Sequence, residues 1–126
     1  MSVPFDSTII ALKSNADLSA KEWLCVIGNG DDDIDVSGAG GIVIGVLTDN
    51  VFDGTTTAQW NSVQVSGLAK VAFGGTVAVG TSVKSDSAGK AVAATTDQDI
   101  AFGYAMETSA SGDLGVVMLS RHTISI

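Results

Sequence analysis

Glycine occurs 15 times and proline once, at Pro4, and the glycines break the chain into short runs rich in Val, Ile and Thr. That spacing leaves little room for a helix and favours many short strands joined by turns. Turn candidates are Gly28-Asn29-Gly30, Ser37-Gly38-Ala39-Gly40-Gly41, Phe52-Asp53-Gly54-Thr55, Phe73-Gly74-Gly75, Asp86-Ser87-Ala88-Gly89 and Ala110-Ser111-Gly112-Asp113. Each contains residues that tolerate positive φ or hydrogen-bond their own backbone. The helix signal is weak: residues 15–22 could make one turn. The texture predicts an all-β fold, a small β-barrel or β-sandwich.

Two segments alternate with period two. Asn61 to Val65 puts Val63 and Val65 on one face, and Ala69 to Phe73 does the same for Ala69, Val71 and Phe73. They are expected to pair as a hairpin through Ser66-Gly67-Leu68. The apolar runs Trp23 to Ile27, Ile42 to Leu47, Ile100 to Met106 and Leu114 to Leu119 lack alternation and read as strands covered on both faces.

The two halves of the chain are similar. Ile42-Val43-Ile44-Gly45-Val46-Leu47 mirrors Ile100-Ala101-Phe102-Gly103-Tyr104-Ala105 at an offset of 58; Leu24 aligns with Val83, and Ser62 with Gly115. Pseudo-repeats of about 17–66 and 76–120 follow. Gly45 and Gly103 are expected at equivalent bends, where another backbone comes close. With 126 residues there is length for one domain, so residues 1–13 are read as an extended N-terminal arm and 14–126 as a single β domain.

Charge and residue chemistry exclude several functions. Fourteen acidic against 6 basic residues give a net charge of −8, which repels a nucleic-acid backbone. Mean hydropathy is +0.37, yet the apolar runs fall far short of the ~20 residues that a membrane helix needs. No secretory signal is visible at the N-terminus, and the expected site of synthesis is a cytoplasm. Cys25 is the only cysteine and His122 the only histidine, so a disulfide, a cysteine cage or a histidine-pair metal site within one chain is impossible. Cys25 reads as a small buried hydrophobe. No Gly-x-Ser-x-Gly elbow, phosphate-binding loop or dinucleotide fingerprint occurs, and no carboxylate pair stands out; no enzyme activity and no cofactor are expected.

Asp31-Asp32-Asp33-Ile34-Asp35 opens like a calcium loop, but Val36 and Ile42 stand where an EF-hand needs its glycine and its bidentate Glu. The segment reads as a solvated acidic turn, and calcium binding by Asp31, Asp33 and Asp35 stays open. Charged residues make up only 16% of the chain, which implies a surface partly covered by other subunits. Partner-binding candidates are Pro4, Phe5, Ile9, Ile10 and Leu12 in the arm, which could add a strand to a neighbour, and the loop aromatics Phe52 and Trp60.

From about Ser14 to Ser120 the order of features resembles the capsid decoration, or cement, proteins of tailed bacteriophages. The resemblance is carried by Leu18-Ser19-Ala20 before the run Trp23 to Ile27, by Gly45-Val46-Leu47, and by Val63-Gln64-Val65-Ser66-Gly67-Leu68-Ala69-Lys70-Val71. Val77 to Val92, Ile100 to Glu107 and Gly112-Asp113-Leu114-Gly115-Val116-Val117 continue it. Departures occur at Val79-Gly80 and Gly103-Tyr104-Ala105, and neither alters the pattern of turn and strand. The resemblance implies a non-enzymatic structural virion protein on the outer surface of an expanded head, made in the host cytoplasm. It would bind the major capsid protein as a homotrimer near three-fold positions and stabilise that lattice. The alternative is a head-fibre or adhesin-type β module that binds host surface glycans.

Overall fold

The computed structural model describes residues 8–14, 18, 21–28, 33–51 and 59–125, and among them there is no α-helix. Ten strands form two antiparallel five-stranded sheets. The first holds β1 (Ile9–Ser14), β2 (Cys25–Gly28), β3 (Ile34–Val36), β4 (Gly45–Val51) and β5 (Gln59–Gln64), in the order β1-β5-β4-β2-β3. The second holds β6 (Gly67–Ala72), β7 (Ser82–Ser85), β8 (Ala91–Ala93), β9 (Ile100–Ala105) and β10 (Leu114–Thr123), in the order β6-β10-β9-β7-β8. Raising each number of the first order by five gives the second. The fold is all-β and sandwich-like, and neither sheet closes into a barrel, although each curls until its edges approach. β1 touches β3, and Phe73 at the end of β6 bridges to Ala91 of β8.

The ladders place the repeat residue by residue. Val26 faces Gly45 as Val83 faces Gly103, Leu47 faces Val63 as Ala105 faces Val117, and Leu12 faces Asn61 as Val71 faces Gly115. Val83 therefore corresponds to Val26 rather than Leu24, and Gly115 to Asn61 rather than Ser62. The first is a two-residue slip and keeps the face, but the second, of one residue, moves every side chain of its strand to the other face. Strands rich in Val, Gly and Ser carry no side chain that betrays such a slip in sequence. The units also begin earlier than expected, with β1 opening one and β6 the other.

Each unit buries its own apolar set. In the first, Leu18, Val26, Ile34, Leu47 and Val63 are buried, with Leu12, Ile44 and Val65 packed on them. Val77, Val83, Ala91, Ala105, Val117, Val71, Phe102 and Leu119 are their counterparts in the second. Burying each Val or Leu stabilises by roughly 1.5–3 kcal/mol, so these two sets are the main favourable term of the fold. The second core is larger, because Cys25, Val43 and Val46 of the first sheet join it from outside.

Two close approaches hold the centre of each sheet. A Cβ on Gly45 would meet the Gln64 carbonyl oxygen at 2.5 Å and Val63 Cγ1 at 2.6 Å; on Gly103 it would strike the equivalent Met118 carbonyl and Val117 Cγ1. In one further place the units solve the same packing problem differently. Asn61 Nδ2 donates to the Leu12 carbonyl at 3.0 Å and to Ser14 Oγ at 3.1 Å. The counterparts of Asn61 and Ser14 are Gly115 and Phe73, and a Cβ on Gly115 would lie 2.6 Å from the Phe73 ring. An aromatic ring over a glycine replaces a buried polar pair.

Three expectations are corrected. The segments Asn61–Val65 and Ala69–Phe73 do not pair: β5 lies between β1 and β4, whereas β6 joins β10 in the other sheet. Gly67 turns the chain at φ +85°, and Gln64 Nε2 donates to the carbonyls of Ser66 and Leu68, so the link crosses between sheets. Residues 9–13 are not an arm but most of β1, laddered to β5 from Ile9 opposite Gln64 to Ser14 opposite Gln59. The run Trp23 to Ile27 enters its strand only at Cys25, since Trp23 is a turn residue at φ +70°.

Gly45→Val and Gly103→Val are each expected to cost about 3 kcal/mol, because the added methyls meet backbone that cannot yield. Gly38→Ala, whose Cβ meets nothing within 4 Å, should leave stability unchanged. Urea midpoints check this, and a wild-type midpoint for both valine variants would refute the reading.

Candidate functional site

Alternation along the edge and central strands decides which apolar groups reach solvent. On β1, Leu12 turns into the first core; Ile10 points to the same side but stays 40% exposed near the strand's start, and Ile9, opposite Gln64, points the other way and is 55% exposed. On β5, Trp60 lies between Lys13 of β1 and Val51 of β4 and is 57% exposed. Its counterpart Leu114 is also exposed. Of the candidates named from sequence, the structure thus brings Ile9, Ile10 and Trp60 to the surface on neighbouring strands and half-buries Leu12. Pro4, Phe5 and Phe52 lie outside the described residues.

A second exposed face spans β7, β9 and β10. Tyr104 of β9 sits opposite Ser82 of β7 on one side and Met118 of β10 on the other, so the three side chains share one face. Tyr104 and Met118 are both exposed. His122, beyond a bulge in β10, stacks on Tyr104 with ring centroids 4.4 Å apart and planes 11° from parallel. Its Nδ1 lies 2.7 Å from the Ser120 carbonyl, which only accepts, so Nδ1 carries the proton. In the tautomer protonated at Nδ1 alone, Nε2 accepts from the Ser82 hydroxyl at 2.9 Å. A serine donating to a histidine resembles the first two members of a catalytic triad, but a backbone carbonyl stands where the triad places a carboxylate. What the arrangement supplies is a flat aromatic surface held by a strap from β7 to β10 across β9.

Sequence reasoning missed this face. The runs Ile100 to Met106 and Leu114 to Leu119 were expected to be covered on both sides; Tyr104, Met118 and Leu114 show that the outer side is partly open, although Phe102, on the same side as Tyr104, is buried. The available signal was a tyrosine and two methionines at alternate positions of strands otherwise built from Val, Ala and Gly. Between the units lies a cleft of about 160 Å³ lined by Ile44 and Val65, by their counterparts Phe102 and Leu119, and by Ser120 and Arg121.

The model of the family described as phage cement protein matches residues 9–120. The chain belongs to the phage cement protein family. Among curated proteins none matches it. Among solved structures, the head fiber gp8.5 N base of bacteriophage phi29 is similar in fold, with a TM-score of 0.70 and 21% identity over 94% of this chain and 100% of that one. The family match makes this a structural component of a phage head.

Other groups in this cement protein serve its fold. Cys25 is fully buried, and burial pushes its thiol well above the ordinary range, with the Asp86 carboxylate adding to the effect. The expected solvated acidic turn needs correction at Asp33, which is 4% exposed and lies 3.5 Å from Lys13 Nζ. The lysine on β1 draws that carboxylate in beside β3. Asp35 Oδ1 accepts from the Val36 amide at 2.8 Å, and Asp31 and Asp32 lie outside the described residues.

Beside the aromatic face, Lys84 Nζ reaches Asp99 Oδ2 at 3.0 Å, and the same oxygen accepts from the Thr96 amide. The lysine hydrogen bond, then the amide, hold the Asp99 carboxyl below its ordinary pKa. A depressed folded-state pKa contributes stability above the unfolded value and loses it as pH falls through the folded one. Carboxyl NMR should find Asp99 titrating below the usual ~3.9, and Lys84→Met should move it up toward that value. An unmoved titration in the variant would show that the pair does not set it.

Proposed function

We propose that this protein decorates the outer surface of a phage head, binds the major capsid protein there as a homotrimer, and stabilises the capsid lattice. The family match over 9–120 is the observation that carries this reading. The sequence and the fold support it. A charge of −8 suits an outer surface away from packaged DNA, and the exposed Trp60 beside the β1 edge offers an anchor of the kind that dominates protein contacts. Pro4, Phe5 and Phe52 are proposed to act with it, together with the exposed part of β1. Many modest contacts repeated around one shell would hold the lattice by avidity.

The likeness to the phi29 head fiber base favours a second reading, in which the domain is the capsid-bound base of a fibre rather than a free-standing cement. An adhesin that binds host glycans through Trp60 is the remaining alternative.

Co-sedimentation with undecorated expanded heads tests these. Saturable binding at a fixed ratio to the major capsid protein is expected. Trp60→Ala should weaken it about tenfold or more with an unchanged melting temperature. Glycan binding by the isolated protein, lost in Trp60→Ala and without head binding, would move the assignment to the adhesin.

A further inference from the structure

The same residues of the two units meet opposite fates. Cys25, Val46 and Gln64 lie side by side on one face of the first sheet, since Cys25 faces Val46 and Val46 faces Gln64 across the ladders. All three are buried, at 0%, 0% and 7% exposure. What covers this face is the second unit. Cys25 N donates to the Gly89 carbonyl at 2.8 Å, Ala72 N donates to the Trp23 carbonyl at 2.9 Å, and Lys70 Nζ stands 5.8 Å from the Trp23 ring centroid. Cys25 and Val46 then merge into the second core, which includes Ala69 of β6.

The counterparts of Cys25, Val46 and Gln64 are Ser82, Tyr104 and Met118, by the register given above. These form the exposed aromatic face. The counterpart of Ala69, which is 1% exposed, is Ile10, which is 40% exposed. So among the described residues there is one internal joint, with a face of unit one seated on the β6 end of unit two, and the side chains of both equivalent half-joints remain exposed. The face of unit two is open, and so is the β1 end of unit one. Tyr104 and Met118 on one half, and Ile10 on the other, are large side chains left exposed.

We infer that copies of this chain associate head to tail, the Ser82–Tyr104–Met118 face of one docking on the β1 end, around Ile10, of the next. This repeats between chains the joint that already exists within each chain, and it deepens the self-assembly in the function proposed above, on which it rests. A joint of two unlike surfaces is heterologous, so it continues from copy to copy until the rotation closes a ring. The stacked Tyr104–His122 pair, held by Ser82, presents the flat surface on which the neighbour's Ile10 sits.

Sedimentation velocity on the isolated 126-residue protein tests this without capsids. Wild type is expected to be oligomeric, and Met118→Glu and Ile10→Glu are each expected to be monomeric with a wild-type near-UV spectrum. Mixing the two variants should give a one-to-one dimer that grows no further, because each supplies the intact half that the other lacks. If either variant fails to fold, Tyr104→Ser or Ile10→Ser takes its place. A wild type that stays monomeric at every attainable concentration overturns the inference, as does a folded variant that keeps the wild-type oligomer. A mixture that remains monomeric overturns the head-to-tail arrangement. Head co-sedimentation of the same samples is scored apart: oligomers that ignore expanded heads would refute the decoration role and leave the joint standing.

Discussion

The contact on which the architecture depends is the approach of backbone to backbone at Gly45 and at Gly103. Each glycine sits where a central strand presses on the carbonyl of its neighbour, Gln64 in one unit and Met118 in the other. The press fixes the register of β4 on β5 and of β9 on β10, and through it decides which residues point inward. With Val63 and Val117 turned into the cores, Gln64 and Met118 must face outward. Both the inner cores and the outer faces follow from that one constraint.

Two similar units in one chain then create an imbalance. A curled five-stranded sheet of this size buries a small core and leaves an apolar face behind it. Unit one hides that face against unit two, whereas the equivalent face of unit two leaves Tyr104 and Met118 exposed. Natural proteins resolve such an imbalance by association, and a family whose members attach to repetitive shells is a fitting place for it. The exchange of Asn61 and Ser14 for Gly115 and Phe73 shows that the units have diverged in detail, while their ladders still match. The faces differ as well: Cys25, Val46 and Gln64 stand on the covered one, and Tyr104, His122 and Met118 on the open one.

Much of this was legible beforehand. Glycine punctuation and the β-branched runs pointed to an all-β fold, the two glycine-centred runs to a repeat, and the ordered motifs to a phage cement protein. Less legible were the contacts that depend on which strand lies beside which. Val63 and Val71 alternate in adjacent segments as a hairpin would, yet they belong to different sheets, because no local rule records that Gln64 ties the intervening turn to the crossing chain. Likewise, an arm and an edge strand have the same composition. Only the ladder of Ile9–Ser14 on β5 separates them.

By itself, then, the sequence determined the local alphabet of the protein: short strands, turns at glycine and aspartate, no charge for nucleic acid, and no second histidine or cysteine for a metal. These are properties of residue types and near neighbours, which a linear reading contains. Tertiary structure alone decided the one-residue register that turns Val117 in and Met118 out, the crossing after Val65, and the covering of Cys25 and Val46 but not of Tyr104. Each of those is settled by a partner distant in the chain, and the free energy of burial belongs to the pair of surfaces that meet rather than to either strand.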